Sequence, residues 1–530
     1  MGIAFVVFSP ALGGEMFSDD ALFLSENPYI QELSLPNLVA LFDPTSPASL
    51  MIGAYSPVAL LVHAGGWQFF GDHVTGHHVI NIALHALGSA LLVFFLIRCG
   101  ISKWAAGFGG LVFLVHPANV EAVAWISQLK TSSCFVFALL ALFTHPRRPL
   151  LSLVFFALAL LAKPTGATVF FVVLTLGYVH ASRPAESRNA EDDWRWTFMA
   201  AWLVVLLAYA MAYVSVFSQS IPNIPPLYED LGVRLRSIAA VGLRYLVMAA
   251  TGYGTGAFHE PPGARSLLDP WWLSSLAVLL AMVWRIVVVF RRRSVELAFW
   301  VWPASWYAVV CGIVPIPFPI ADRHLYFMLP GLIGIACFVL ADIDRWLESR
   351  SVRTPSRVLL RNVGIAAGAV LTVAFAAQSY EVSKLYGQPE RLYESAADRY
   401  PDGTVARQMR AREAAWRGDV DATLSELRGM RIQYGPMLFE LLADPTYEGI
   451  RQDPRFQSFI TELARAHIEE LDDPQSQLAL RQLAFAHMIL GDQDAAERAI
   501  RRGLELEGPI REQLRADLDE LARAREGGQF

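Results

Sequence analysis

Residues 77–97 read HHVINIALHALGSALLVFFLI, an apolar stretch of the length that an α-helix needs to cross a bilayer. Three polar residues, His78, Asn81 and His85, lie in it at positions i, i+3 and i+7, so they share one face of the helix. Polar groups on such a face serve either interhelical packing or function, and the pattern leaves both open. No acidic cluster nearby completes a metal-ligand set, so we expect no metal site there.

The apolar character of this stretch extends over most of the chain and then stops. The chain has 530 residues, of which 54% are hydrophobic and 17% charged, whereas about 25% of an average soluble domain is charged. Residues 1–384 contain 24 Lys and Arg and 22 Asp and Glu, and the much shorter remainder contains 19 and 27. We therefore predict an all-α fold, with a polytopic membrane bundle over residues 1–384 and a soluble helical domain over residues 385–530.

Charge and cysteine content exclude two other classes of protein. A net charge of −6 without a concentrated basic face argues against nucleic-acid binding. The four cysteines lie in or beside apolar runs and lack the close pairing of a zinc site or a disulfide framework. They are Cys99, Cys134, Cys311 and Cys337.

Nine apolar segments are candidates for membrane helices. Several are short, and we expect them to borrow flanking residues or to form broken helices around polar loops. Residues 238–251 are expected to be re-entrant or interfacial, and residues 1–14 resemble the outer half of a first helix, as a misassigned start codon would leave it. The nine candidates are residues 76–97, 104–115, 131–143, 150–179, 197–217, 271–290, 297–314, 325–340 and 363–378.

Basic residues cluster in alternate loops, and such clusters favour the cytoplasmic side of a membrane. The loops carrying Asp19, Glu121, Lys163 and Arg323, residues 218–236 and 259–269, and the soluble tail then face the opposite side. This pattern predicts that the C-terminal domain lies on the side away from the cytoplasm, which in a bacterial inner-membrane protein is the periplasm. The five clusters are Arg98/Lys103, Arg147/Arg148, Arg183/Arg188/Arg195, Arg291/Arg292/Arg293 and Arg345/Arg350/Arg353/Arg357.

The soluble tail contains two similar stretches, AREAAWRGDVDATLSEL at 411–427 and LAFAHMILGDQDAAERAIRRGLEL at 483–506. In each, a glycine in the left-handed conformation ends one helix and the following aspartate caps the next. Gly418 and Gly491 are 73 residues apart, close to two periods of the tetratricopeptide repeat of about 34 residues. A small repeat array that binds peptides or partner proteins is the favoured interpretation, and a generic helical bundle is the alternative.

Two groups of ionisable residues stand close to the predicted membrane helices, where such groups are costly and often functional. In FSDDALFLSENPYI, at 17–30, Asp19 and Asp20 are adjacent, and like charges raise the pKa of one carboxyl toward that of a general base. The alternative is a helix cap in a solvated loop. The stretch VHPANVEAVAWISQLK, at 115–130, contains His116, Glu121 and Lys130. Pro117 begins a short helix within it.

Two further groups are basic. Lys163 interrupts the apolar run LLAKPTGA, either snorkelling to the interface or holding an anion in a cavity. The stretch FPIADRHLYFMLPG, at 318–331, places Asp322, Arg323, His324 and Tyr326 at the start of a membrane helix. The planar, always charged guanidinium of arginine suits a phosphate, and an Arg–Asp pair anchoring the helix end is the alternative.

In their order and spacing these stretches resemble the transmembrane and tetratricopeptide-repeat (TMTC) O-mannosyltransferases, members of the GT-C glycosyltransferase superfamily, and their bacterial relatives. The resemblance covers roughly residues 19–330 and, more loosely, the tail. His324 departs from the aromatic residue or arginine that the family often has there, and residues 128–130 replace its Gly-Arg-Asp-like turn. The matching stretches are SDDALFLSENPYI, YSPVALLV, HHVINIALHAL, VHPANVEAVAWIS, LAKPTGAT and ADRHLYFMLPG.

The resemblance implies a GT-C membrane bundle whose large first outer loop, about residues 15–75, bears the catalytic acid. Asp19 or Asp20 would be that acid, with Asp19 slightly favoured. Residues expected to bind the lipid-phosphate donor are Arg323, His324, Lys163, His78 and His85. Structural or acceptor-side roles are expected for Asn81, His116, Glu121 and Tyr326.

The implied reaction is inverting transfer of a mannose-like hexose from a polyprenyl-phosphate donor to a protein or glycan hydroxyl. No cofactor is assigned, and a need for a divalent metal is left open. The absence of a phosphate-binding glycine loop argues against direct use of a nucleotide sugar. The alternatives are a membrane scaffold, which has no need of His, Lys and Arg in separate spans, and a lipid-linked sugar transporter, whose internal repeats are not found.

Overall fold

The computed structural model of the chain describes residues 1–145, 147–182, 196–220, 230–313, 320–350, 354–430, 434–471, 474, 477–506 and 510–527. All regular structure in these ranges is helical, which confirms the predicted all-α fold. Some sequence predictions fall outside the described residues. They concern Arg183, Arg188, Arg195, Arg353, the side chain of Arg357 and the middle of the 218–236 loop.

The helices up to residue 386 are α1 Gly2–Phe8, α2 Asp20–Phe23, α3 Pro28–Gln31, α4 Leu35–Phe42, α5 Pro47–Met51, α6 Pro57–Phe70, α7 Val74–Arg98, α8 Lys103–Val115, α9 Val120–Ala124, α10 Leu129–Thr144, α11 Pro149–Ala162, α12 Thr168–Ala181, α13 Trp196–Ser220, α14 Leu231–Thr251, α15 Pro270–Arg291, α16 Glu296–Val310, α17 Asp322–Ser349 and α18 Thr354–Tyr386. The tail contains α19 Pro389–Arg399, α20 Thr404–Trp416, α21 Val420–Arg428, α22 Tyr434–Ala443, α23 Pro454–Glu470, α24 Gln477–Ile489, α25 Gln493–Glu505 and α26 Arg511–Gly527. Short 3-10 helices cover Ser9–Gly13, Pro117–Asn119, Ile126–Gln128, Pro164–Ala167 and Pro445–Ile450.

The chain divides into two compact units. The first contains Met1–Leu33, Ser56–Ala210 and Pro226–Leu392, and the second contains Ser34–Tyr55, Met211–Pro225 and Tyr393–Phe530. The sequence-based division after residue 384 falls within the last turn of α18. We call the first unit the membrane unit, because it holds the long apolar helices.

Seven helices in the described ranges are long and apolar enough to cross a membrane, and a bent pair brings the number to eight. The pair joins α8 to the turns at Pro117–Ala124 with a bend of 53°. The structure thus confirms a polytopic membrane bundle with a broken helix. The seven spans are Val74–Arg98, Ile126–Thr144, Pro164–Ala181, Phe198–Phe217, Pro270–Arg291, Asp322–Ser349 and Asn362–Tyr386.

Several predicted boundaries are corrected. The candidate at 150–179 is two helices, α11 and α12, because Pro164 after Lys163 cannot donate a backbone hydrogen bond and starts a 3-10 turn instead. The candidate at 297–314 is the 15-residue α16, which is too short to be counted among the spans. Residues 325–340 and 363–378 are parts of longer helices, as expected of segments that borrow flanking residues.

The two ends of the membrane unit carry different polar groups. At one end, Arg98 Nη2 donates to the carbonyl of His145 at 2.7 Å and Arg293 Nη1 donates to that of Ser182 at 2.8 Å. These contacts join four of the loops that the charge pattern predicts to be on one side. At the opposite end, Lys163 follows the last residue of α11, and Asp20 bonds to Ser127 just before the start of α10. The candidate site is found there.

The described part of the tail confirms the predicted glycine–aspartate turns. Gly418 and Gly491 have φ of +76° and +75°, which favours glycine because it lacks a Cβ. Asp419 then accepts a hydrogen bond from Ala422 N at 3.0 Å, and Asp492 accepts one from Ala495 N at 2.9 Å. The result is two helical hairpins, α20–α21 and α24–α25. Their assignment to tetratricopeptide repeats stays a prediction.

Candidate active site

A compact turn over residues 116–128 positions most of the site. It begins where Pro117 ends the backbone hydrogen bonding of α8, and buried polar side chains hold it in place. Asn81 Nδ2 lies 2.9–3.2 Å from the carbonyl oxygens of Ala122, Val123 and Trp125, and its Oδ1 accepts from Ser132. The carbonyl groups of this turn therefore accept hydrogen bonds from a side chain of α7, and these bonds fix the position of the turn in the bundle.

Asp20 is buried against the turn. Its Oδ1 accepts a hydrogen bond from Ser127 N at 2.8 Å, and its Oδ2 accepts one from Phe17 N at 3.3 Å. Burial raises the pKa of Asp20 to about 7, and the charge of Asp19 adds a smaller contribution in the same direction. The sequence argument from adjacent charges thus correctly predicts a raised pKa, but burial is the main cause of the increase.

Asp19 has different surroundings. Its side chain is half-buried, its Oδ1 accepts from Ser18 Oγ at 3.4 Å, and it interacts electrostatically with Lys130 and Arg323. Lys130 interacts electrostatically with both adjacent carboxylates, but Asp19 is the less buried of the two and keeps access to a bound molecule. Asp20 instead bonds the loop that contains both carboxylates to the 116–128 turn.

Two lysines lie beside the carboxylates. Lys163 Nζ donates to Thr131 Oγ1 at 2.6 Å and to Gln128 Oε1 at 3.2 Å, and it interacts electrostatically with Lys130 and Arg323. Lys130 Nζ lies 4.3 Å from the ring centroid of Phe23. Of the two alternatives for Lys163, contact with a polar site at a helix break fits this geometry better than snorkelling.

Arg323 is fixed at the start of α17 by Glu121. The carboxylate of Glu121 pairs with Arg323 Nη1 and accepts from Arg323 N at 2.7 Å. The guanidinium carbon is 5.7 Å from the ring centroid of Trp125, on which Phe17 stacks with centroids 5.2 Å apart. The sequence suggested an Arg–Asp pair as the structural alternative, but the partner of Arg323 is Glu121.

Asp322 belongs to a separate contact. It accepts from Gly256 N at 2.7 Å and lies 2.7 Å from His259 Nε2. These contacts attach the segment after α14 to the start of α17. Asp322 therefore helps to hold the start of α17, on which Arg323 is the next residue.

Three residues with predicted roles make structural contacts. His85 is fully buried, and its ring nitrogens lie 3.0 Å from Tyr326 Oη and 3.0 Å from the carbonyl of Leu114. His116 Nε2 lies 3.1 Å from the carbonyl of Ala249, and its Nδ1 accepts from Ala118 N. Both ring nitrogens of His85 are bonded inside the bundle, which favours a structural role, and its expected donor-binding role stays a prediction. His116 and Tyr326 fit the structural role.

The other two histidines keep their predicted roles as hypotheses. His78 is buried, and neither ring nitrogen has a hydrogen-bond partner among the described residues. His324 is also buried, and its ring packs against Trp306 with centroids 5.9 Å apart.

Four residues of this region, Gln128, Thr131, Trp125 and His259, received no role from the sequence, although Gln128 and Trp125 lie in the stretch at 115–130. Thr131 directly follows Lys130, so its polarity beside a membrane helix was an available signal. His259 carries no such signal, because it joins Asp322 across 63 residues of sequence. Among the described residues, no group of three or more His, Cys, Asp or Glu side chains could hold a metal ion.

The site thus combines one accessible carboxylate with three cations, Lys130, Lys163 and Arg323. The cations come from three separate segments and repel one another, and Glu121 forms an ion pair with Arg323. An anionic ligand would relieve this repulsion, and its charge would be stabilised strongly in a partly buried site. The arrangement suits a phosphate beside a carboxylate base.

Comparison with known proteins gives matches to part of the chain. Protein O-mannosyl-transferase Tmtc1 of Drosophila melanogaster is 27% identical over 148 residues, which is 26% of this chain and 17% of that protein. Protein O-mannosyl-transferase TMTC1 of Mus musculus is 28% identical over 203 residues, 33% of this chain and 21% of that protein. The chain therefore spans about a fifth of the length of these relatives. No family model matches.

A solved structure with a weaker likeness is that of ArnT from Cupriavidus metallidurans bound to undecaprenyl phosphate. It is 14% identical, with a TM-score of 0.40, over 87% of this chain and 90% of that one. The sequence matches are to the proteins that the motifs resemble. They confirm that the chain is a distant relative of the TMTC protein O-mannosyl-transferases.

Proposed function

We propose that this protein is a membrane glycosyltransferase of the GT-C type, which moves a mannose-like hexose from a polyprenyl-phosphate donor to a hydroxyl group. The observation that carries the proposal is the meeting of Asp19, Lys130, Lys163 and Arg323 at one end of the bundle, in a relative of O-mannosyl-transferases. These residues come from four separate segments. A purely anchoring bundle has no need to bring such costly groups together.

In this proposal the cations bind the donor phosphate. Lys163 keeps donor capacity beyond its bonds to Thr131 and Gln128, and Arg323 is oriented by Glu121. As the bond between the anomeric carbon and the phosphate oxygen breaks, the phosphate leaves with the electron pair. The positive charges stabilise that developing anion, and the sugar passes through an oxocarbenium-like state.

Asp19 acts as the general base in the same step. It takes the proton of the acceptor hydroxyl while the hydroxyl oxygen forms a bond to the anomeric carbon. One base and one displacement invert the configuration at that carbon. Asp20 has both oxygens bonded to backbone N–H groups, so it positions the loop that carries Asp19.

The acceptor in this proposal is a protein or a glycan outside the cytoplasm, brought close by the helical tail. Helical hairpin arrays present grooves for peptides, which is the physical reason to give the tail this role. Comparing the envelope glycoproteins of cells with and without this chain by mass spectrometry identifies the acceptor. An identical glycan profile in both would favour the scaffold over the transferase.

The proposal is tested with the purified full-length chain in lipid nanodiscs. A radiolabelled mannosyl-phosphoryl polyprenol is supplied together with hydroxyl-bearing peptides or glycans. We expect label to move to the acceptor, with the anomeric configuration opposite to that of the donor. Asp72→Asn is the matched control, because Asp72 is an exposed carboxylate of the same predicted outer loop, and it should transfer like wild type.

Three results would contradict the proposal. Label that stays on the lipid with every acceptor class would favour a scaffold. Movement of the intact lipid across the bilayer without transfer would identify a transporter. A product with the donor's configuration would refute the single displacement.

A further inference from the structure

A second charged cavity lies at the basic end of the membrane unit, away from Asp19. It has a volume of about 340 Å³ and lies between the α15–α16 turn and the later part of α17, with Cys99 after α7 at its edge. Its charged lining residues are Arg292, Arg293, Glu296, Asp342 and Arg345. We call it the arginine pocket.

The two carboxylates of the arginine pocket are largely used by a further arginine. Arg285 donates from Nε and Nη2 to the two oxygens of Glu296 at 2.8 and 2.6 Å, and its Nη1 lies 2.7 Å from Asp342 Oδ2. Trp300 Nε1 also donates to Glu296, at 3.0 Å. This network satisfies Glu296 and occupies one oxygen of Asp342.

Arg292 and Arg345 are therefore in excess. Arg345 Nη2 lies 2.5 Å from Asp342 Oδ1, while Arg292 reaches only the oxygen that Arg285 already occupies, at 3.4 Å. The side chain of Arg345 is 70% exposed and that of Arg292 is 62% exposed, so most of the N–H donors of both face outward. Arg293 adds a fourth guanidinium, and one of its nitrogens donates to the carbonyl of Ser182. Four arginines face two carboxylates.

The backbone at Arg293 is a second, independent observation. Ser294 N donates to the carbonyl of Val289 and Arg293 N to that of Phe290, the two bonds of a Schellman motif at the end of α15. Glycine is the usual residue at the left-handed position of this motif, but Arg293 holds it with φ of +52°. The sequence thus keeps a cation in the pocket at a position where the backbone disfavours any side chain.

The pocket lies at the end of α15, a span that is mostly exposed. Only 11% of this span is buried inside the protein. Leu280, Val283, Trp284 and Val287 are exposed on one face of the helix, whereas Val289 and Arg292, which line the pocket, lie on another face at its end. Such a face contacts acyl chains in a bilayer, and the pocket then lies at the depth of the lipid phosphates.

We propose that the arginine pocket binds the headgroup phosphate of an anionic glycerophospholipid, whose acyl chains lie along α15. The excess guanidinium groups supply the charge-assisted hydrogen bonds that a phosphodiester accepts. The exposed apolar face favours a lipid over a free phosphate ion. This site is independent of the sugar-transfer site, and the charge pattern predicts that it faces the cytoplasmic leaflet.

The test measures lipid binding to the purified full-length chain by native mass spectrometry and by thermal unfolding. The probes are phosphatidylglycerol, phosphatidylcholine and inorganic phosphate. Phosphatidylglycerol should bind and raise the unfolding temperature, and Arg292→Gln with Arg345→Gln should weaken that binding by about thirtyfold, roughly fivefold for each arginine. Lys103→Gln with Arg148→Gln removes the same charge from exposed sites outside the pocket and should keep wild-type binding.

Wild-type affinity in the folded pocket variant, equal binding of phosphatidylcholine, or full competition by inorganic phosphate would each overturn the proposal. A second measurement does not depend on the folding of any variant. A photoactivatable phosphatidylglycerol should crosslink wild-type protein within residues 285–296 or 338–345. Crosslinks confined to other segments would likewise overturn it.

Discussion

Asp19 and Asp20 are neighbours in sequence, yet the fold gives them different roles. Asp20 is 1% exposed and accepts two backbone hydrogen bonds, while Asp19 is half-buried and faces Lys130 and Arg323. The sequence identifies the pair as chemically significant. It cannot rank the two, because the difference depends on which carboxylate the 116–128 turn covers.

The burial of Asp20 predicts how stability depends on pH. Its pKa is about 7 in the folded protein against an ordinary value of 3.8, so the folded state holds the proton more tightly than the unfolded state. Its contribution to stability is therefore full below about pH 4 and is lost as the pH rises toward about 7. Asp20→Asn should flatten this decline in thermal unfolding curves, whereas Asp72→Asn should retain it. An unchanged decline in Asp20→Asn would contradict the assigned burial.

Arg323 should tolerate lysine in folding but not in transfer. A lysine can keep an ion pair with Glu121, but it lacks the second arm of the guanidinium that would bind phosphate. We expect Arg323→Lys to lose roughly a hundredfold in transfer rate, with an unfolding temperature close to that of wild type. Full activity in this variant would make Arg323 a helix anchor only.

At the scale of elements, the broken helix after α8 is what creates the site. The turn at 116–128 replaces regular helix, and the carbonyl groups it leaves unbonded are satisfied by Asn81. Asn81→Leu keeps the approximate volume but removes the donor. We expect a loss of about 3 kcal/mol in unfolding free energy, together with a loss of transfer.

Ser89→Ala is the matched control for Asn81→Leu. Ser89 lies on the same helix and donates only to the carbonyl of His85 one turn earlier, so the variant should cost little in stability. Equal stability of Asn81→Leu and Ser89→Ala would show that the turn does not depend on Asn81.

The sequence predicts elements better than it predicts their contacts. Length and hydropathy locate most spans, and glycine–aspartate pairs locate the turns of the tail, because these signals are local. The pairing of Glu121 with Arg323 joins positions 202 residues apart, and no local pattern specifies it. The burial of His85 between Tyr326 and Leu114 is likewise set by packing, so a polar helix face alone did not separate structural from functional histidines.

At the scale of the whole molecule, the polar groups of the membrane unit are sorted between its two ends. Arginine clusters occupy one end, and the acidic and basic residues of the candidate site occupy the other. The last helix of the unit ends beside the site, where Tyr386 lies 6.2 Å from Phe17 between ring centroids. The tail therefore leaves the membrane unit at the end that carries Asp19.

This arrangement predicts that the C-terminus lies outside the cytoplasm. A reporter fused after Phe530 that is active only in the periplasm should give signal, and a reporter active only in the cytoplasm should give none. Fusions in the loop that ends at Arg148 should show the reverse. Cytoplasmic activity of the C-terminal fusion would refute the assignment of sides.

The most direct test of the account compares sugar transfer by wild type and Asp19→Asn, with donor binding measured separately. Asparagine keeps the size of aspartate but cannot accept the proton, so turnover should fall by about a hundred- to ten-thousandfold. Binding of the polyprenyl-phosphate sugar should stay near wild type, because the phosphate contacts belong to Lys163 and Arg323. If properly folded Asp19→Asn turns over within about threefold of wild type, well inside the range for a general base, Asp19 is not the base and the central claim fails.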